Sequence, residues 1–73
     1  MEQKILDIIN SIRESKGLTS KKELLSTENL REDLGLTSFD LAELTVKIED
    51  EFDIDIFEDG LVNTVGEIYS KLK

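Results

Sequence analysis

The chain contains neither cysteine nor histidine in 73 residues, and this double absence restricts its folding more than any pattern within it. No disulfide can staple the chain, and none of the usual zinc sites can be built. A domain this short buries only about 60% of the surface its unfolded chain exposes. Stability must therefore come from packed aliphatics, chiefly eleven leucines and eight isoleucines. The same absence removes the thiol nucleophile and the imidazole base that titrates near neutral pH, which argues against a self-sufficient enzyme.

Net charge is −8, and it is unevenly spread. Residues 1–31 hold six basic and five acidic side chains, whereas residues 32–60 hold eleven acidic ones against Lys47 alone. Such a field repels nucleic acid and anionic membrane, favours a monomer, and speeds encounter with basic protein surfaces. Charges run throughout the N-terminal stretch MEQKILDIINSIRESK. It lacks the apolar core of a signal peptide or a membrane span, so the expected location is the cytoplasm.

Ile5, Ile8, Ile9 and Ile12 recur at helical spacing and predict an amphipathic first helix, which Lys16 and Gly17 are suited to end. Residues 17–37 form a long connection, with Leu18, Leu24, Leu25, Leu30, Leu34 and Leu36 available as anchors. Within it, Ser20 and Glu23 have capping-box spacing and predict one or two helical turns near Lys22 to Leu25. A second helix is expected from about Ser38 to Phe52, with Thr37 as N-cap and Leu41, Leu44, Ile48 and Phe52 facing inward. Phe39, Glu43, Val46 and Asp50 form a second stripe on it, either a partner surface or a partly buried helix edge.

The segment FDIDIF alternates apolar and acidic residues as a strand would, but a lone short strand lacks a partner. It reads better as an extended turn into a short third helix near Glu58 to Val62. Thr64 and Glu67 make a further capping box, and Val65, Ile68, Tyr69 and Leu72 line one face of the last helix. The expected fold is all-α: one domain over residues 1–73, a small four-helix bundle of three main helices and one short one, with a long loop between helices 1 and 2.

The acidic run fails as a calcium loop in both registers. Opened at Asp53, it places Glu58 at the glycine position and Thr64 at the last ligand position; opened at Asp55, it places Phe57 and Gly66 at ligand positions. Ser38 is then the residue of interest. A serine at a helix start is ordinarily a capping or first-turn residue, yet its neighbours follow a pattern. The stretch LREDLGLTSFDLAELTVKIEDEFDIDI resembles the acyl carrier proteins, which have a D-L-G turn, a D-S-L-type triplet and an E-L pair. Asp33, Leu34 and Gly35 match the turn, Ser38 the modified serine, and Glu43 with Leu44 the pair. Glu49, Glu51, Phe52, Ile54 and Ile56 match the family's E-x-E-F-x-I-x-I helix end, and Thr64, Val65 and Gly66 its T-V-G. The likeness covers about residues 27–73 in sequence and the whole chain in helix order.

The resemblance implies that Ser38 carries 4′-phosphopantetheine, transferred from coenzyme A by a magnesium-dependent phosphopantetheinyl transferase. The arm would bring the missing thiol and hold acyl groups as thioesters. It further implies that Phe39, Asp40, Glu43, Val46, Glu49 and Asp50 dock on basic, partly apolar surfaces of acyl-transferring and synthase enzymes. Ile48, Ile56, Leu61 and Val62 match positions that line the family's chain-sheltering cavity, and they equally suit ordinary core. Thr37 stands where fatty-acid members usually have aspartate, Phe39 where they have leucine, and Phe57 where they have proline. These departures leave polyketide, other lipid and aminoacyl or D-alanyl transfer open beside fatty-acid synthesis. The rival of another class is a non-modified acidic adaptor that keeps the carrier fold.

Overall fold

An isoleucine stripe recurring every three or four residues winds the N-terminal segment into α1, Glu2–Ser15, with Ile5, Ile9 and Ile12 buried. The computed structural model describes residues 2–58, 60 and 62–72. Gly17 adopts φ +82° just past α1. From there, the Leu18 N–H donates to the Arg13 carbonyl (2.9 Å) and the Gly17 N–H to that of Glu14 (3.0 Å), the bond pair of a Schellman end. α2, Ser38–Phe52, buries Leu41, Leu44 and Ile48, and α3, Val65–Leu72, buries Val65, Ile68 and Leu72. These faces meet Leu30, Leu34, Leu36 and Ile56 in one core. The fold is all-α, and no helix among the described residues is long and apolar enough to cross a membrane.

α2 starts where the sequence places it. Thr37 is extended (φ −87°, ψ 174°), its hydroxyl accepts from the Asp40 N–H (3.2 Å), and the Asp40 carboxylate accepts from the Thr37 N–H (2.9 Å). Lys16, beyond the end of α1, bonds the same carboxylate and the Gly35 carbonyl. Asp40 is 7% exposed, and bonding to Lys16, reinforced by the Thr37 N–H, holds its carboxyl below the ordinary carboxylate range. α2 ends at Asp53, which takes the left-handed conformation (φ 59°, ψ 37°) and donates its N–H to the Glu49 carbonyl (2.8 Å). The box at Thr64 and Glu67 forms as expected, with the Glu67 N–H donating to the Thr64 hydroxyl at 3.3 Å.

The long connection departs from expectation in its first half. No helical turns form near Lys22 to Leu25. The Ser20 hydroxyl donates to the Glu14 carboxylate instead of capping, and the Asn10 amide takes both the N–H and the C=O of Lys21 at 2.8 and 2.9 Å. With the backbone held by these polar ties and by Arg13 on the Thr19 carbonyl, Leu18 and Leu25 stay exposed, at 37% and 56%, and do not serve as anchors. The second half is pinned as expected by Leu30, Leu34 and Leu36, all at most 2% exposed. It also pairs with the entrance to α3 through an antiparallel bridge of Asn29 with Thr64 and bonds from Leu30 N–H to Asn63 (2.8 Å) and Gly66 N–H to Ser26 (2.9 Å).

Residues 53–58 form no strand: Ile54 and Asp55 lie outside any regular element and residues 56–58 make a turn. Where the short helix was expected, Glu58 lies in that turn, the Gly60 N–H donates to the Phe57 carbonyl at 3.2 Å with Gly60 at φ +136°, and Val62 belongs to no regular element. A φ of that value is incompatible with a right-handed helix. Asp59 and Leu61 of that stretch lie outside the described residues.

A Cβ at Gly66 would stand 3.0 Å from the Ser26 carbonyl oxygen, the atom that already receives the Gly66 N–H. Overpacking of that kind costs about 1–3 kcal/mol, while alanine returns just under about 1 kcal/mol of helix propensity. Gly66→Ala is therefore expected to lower the urea-unfolding free energy by about 1 kcal/mol; a stabilised variant would show that the loop yields freely. Asp40→Asn is expected to lose about 1–2 kcal/mol at pH 7. Because the folded carboxyl titrates below its unfolded value, its stabilisation is complete above the ordinary carboxylate range and disappears as pH falls through the folded value. Urea melts of both proteins from pH 7 to pH 2 should converge at the acid end; a constant gap would refute the ionic role of Asp40.

Candidate functional site

Ser38 is the first residue of α2, between the two members of the capping box, and its side chain is exposed. It lies at the positive end of the helix dipole. The turn that precedes it is built locally. The Asn29 side-chain oxygen accepts from the N–H groups of Arg31 and Glu32 (2.9 Å each), and the Asp33 carboxylate accepts from the Asn29 N–H (2.6 Å). Gly35 closes the turn at φ +74°. This turn brings Arg31 to the serine, where its guanidinium donates to the Ser38 hydroxyl oxygen.

An open groove of about 280 Å³ runs from this contact, lined by Arg31, Ser38, Leu41, Ala42 and Phe57. It is largely apolar apart from the two residues at its head. An arginine donates hydrogen bonds and does not accept a proton at any ordinary pH. Ser38 therefore faces a cation and not a base, an arrangement that receives a group but does not activate its own hydroxyl. For an anionic phosphodiester the same features fit: an accessible oxygen, a helix N-terminus, a guanidinium in bonding range and an adjoining apolar track.

The expected docking residues are divided by the structure. Phe39 and Val46 are 80% and 67% exposed, Glu49 and Asp50 are exposed, and Glu43 is half-buried beside Lys47 at 3.9 Å. Asp40, expected among them, is instead buried and occupied by Lys16 and Thr37, because its place in the capping box turns it inward. Glu51 pairs with Lys4 of α1 at 2.7 Å. Of the residues matched to an acyl cavity, Ile48, Ile56 and Val62 are buried in the core, at most 2% exposed, and Leu61 lies outside the described residues. A depression of about 340 Å³ between α1 and α2 is lined by Lys4, Asp7, Lys47, Asp50 and Glu51 among others, mixed charges that share no residue with the serine's groove.

Sequence reasoning passed over Arg31 and did not place Phe57 at the serine. One signal was available: Arg31 is the only basic residue between Lys22 and Lys47. Nothing in the sequence marks the groove itself, since Phe57 reaches it only by the turn that follows α2.

The chain matches the family described as "Phosphopantetheine attachment site" over residues 4–72. Among curated proteins it is 38% identical over 56 residues to the mitochondrial acyl carrier protein of Saccharomyces cerevisiae, covering 77% of this chain and 45% of the yeast protein. It is 32% identical to the acyl carrier protein of Exiguobacterium sibiricum over 99% of this chain and 92% of that one. With the acyl carrier protein of Amoebophilus asiaticus it shares 36% identity, over 100% of this chain and 89% of the relative. No solved structure gives a significant match. On these likenesses the chain belongs to the acyl carrier protein family, whose members are not catalysts but carriers of covalently attached 4′-phosphopantetheine.

Proposed function

We propose that Ser38 is the attachment point of the arm, and that residues 1–73 act as one carrier domain delivering acyl thioesters to enzymes of fatty-acid, polyketide or related lipid synthesis. The observation that carries this is the exposed Ser38 hydroxyl at the start of α2, in contact with a guanidinium and opening on an apolar groove. In loading, the serine oxygen bonds to the phosphorus of coenzyme A and the pyrophosphate P–O bond breaks. The adenosine phosphate leaves with the bonding electrons, and a base on the transferase takes the serine proton. The cytoplasm is the proposed compartment and a monomer the proposed state, the latter favoured by the net charge of −8.

Partner enzymes are read as docking on the outer face of α2. Phe39 and Val46 offer apolar anchors, and Glu43, Glu49 and Asp50 supply the negative field that steers basic surfaces. Asp40 supports this face from within by fixing the helix start. Ile48, Ile56, Leu61 and Val62 are the residues proposed to part around a carried acyl chain. The departures at Thr37, Phe39 and Phe57 keep an aminoacyl carrier as a second reading, because they change the residues flanking the arm.

Incubation with coenzyme A, magnesium and a broad-specificity phosphopantetheinyl transferase should add one phosphopantetheine mass to the parent chain and none to Ser38→Ala, by intact mass spectrometry. No addition to the parent with several transferases would favour the unmodified adaptor. On the docking face, Phe39→Ala should lower kcat/KM for loading by about tenfold, a typical loss for a truncated apolar anchor. Glu49→Lys should slow loading chiefly at low salt, where steering is strongest; unchanged rates for both variants would remove this face from the transferase interface.

A further inference from the structure

We infer that Arg31 is a positioning residue for the attached arm: its guanidinium pairs with the phosphodiester on Ser38 and lays the arm along the groove of Leu41, Ala42 and Phe57. This rests on the reading of Ser38 as the attachment point. The Arg31 guanidinium already donates to the Ser38 hydroxyl oxygen, so it occupies the space beside the atom that would bear the phosphorus. Esterification of that oxygen brings two non-bridging oxygens carrying one negative charge into the same neighbourhood. A planar guanidinium can meet both at once, which a neutral serine oxygen does not allow, and such charge-assisted pairs are stronger than neutral ones.

The alternatives for that charge are poor. From residue 32 to residue 60 the chain carries eleven acidic side chains and one other base, Lys47, which lies two turns further along α2 beside Glu43. Lys16 is occupied by Asp40 and the Gly35 carbonyl. Arg31 is thus the cation placed to neutralise the phosphodiester. Its bond to Ser38 also sets direction, because Arg31 shares the groove with Leu41, Ala42 and Phe57. An arm held at its phosphate by Arg31 starts in that groove, and its geminal methyl groups find the Phe57 ring as an apolar neighbour. Arg31 is exposed and outside the hydrophobic core, and the turn around it is held by Asn29 and Asp33, so its replacement is expected to leave the fold intact.

The test uses the full chain loaded with phosphopantetheine in three forms: parent, Arg31→Gln and Arg31→Lys. Mass spectrometry first establishes loading. Phosphorus NMR then reads the phosphodiester, and proton NMR reads nuclear Overhauser effects between the arm's geminal methyls and the Phe57 ring. The parent should show those effects. Arg31→Gln should lose them and shift the phosphorus resonance, while Arg31→Lys, which keeps charge without the two-pronged geometry, should retain them in part. A loaded Arg31→Gln protein with the parent's phosphorus shift and the parent's Phe57 effects overturns this inference and leaves the attachment reading standing. A parent chain that accepts no arm overturns both.

Discussion

The bond between Lys16 and Asp40 is the interaction on which the geometry of this carrier depends. It joins the end of α1 to the start of α2 across 24 positions of sequence, and it does so at the residue that closes the capping box with Thr37. Ser38 directly follows Thr37 in the helix, so its backbone is placed together with the box. Asp40 is the buried partner, its side chain 10% exposed against 28% for Lys16, so removing the lysine leaves a carboxylate with little access to water. Three bonds on the Asp40 carboxylate, from Lys16 and from both the N–H and the hydroxyl of Thr37, keep that cost compensated. The position of the candidate modification site is thereby set by a local capping box together with the tie that box receives from the end of α1.

A similar economy holds the long connection. Arg13, near the end of α1, reaches the carbonyls of both Thr19 and Leu34, so one side chain fixes the loop at its departure and at its return. Lys21 pairs with Glu28, where burial alone would raise the glutamate's carboxyl. The Lys21 ammonium and the Leu25 N–H outweigh that effect and leave the carboxyl below its usual range. Leucines then anchor only the part of the loop that lies over the core. With no disulfide available, this irregular segment is held by polar side chains aimed at backbone groups.

What was legible in the sequence follows from this. The three main helices are marked by periodicity and by local caps, and Thr37, Gly17, Thr64 and Glu67 act where local rules place them. The motif singles out Ser38, whose role as attachment point is a proposal. The contacts that finish the site join residues with no repeating spacing: Asn10 to Lys21, Arg13 to Leu34, Lys16 to Asp40, Arg31 to Ser38. Such ties obey no period, and a window along the chain does not show them. Asp40 illustrates the loss, because an acidic residue on an acidic helix reads as surface until the helix start is seen to turn it inward.

The charges of the molecule therefore fall into two functions that the net value conceals. Glu49 and Asp50 are exposed on α2 as Phe39 and Val46 are, and their field extends about a Debye length, some 8 Å at physiological salt. Asp40 is neutralised by Lys16 and Glu51 by Lys4, so neither adds much to that field. Around Ser38 the balance is reversed, since Arg31 and the helix N-terminus both present positive potential to the hydroxyl. Under the proposed attachment at Ser38 and docking on α2, the helix has to attract basic enzymes while keeping an anionic linkage from being repelled by its own carboxylates. The single arginine of the Lys22 to Lys47 interval at the serine, with the exposed Glu49 and Asp50 beyond the first turn, separates the two by sign on a helix of only 15 residues.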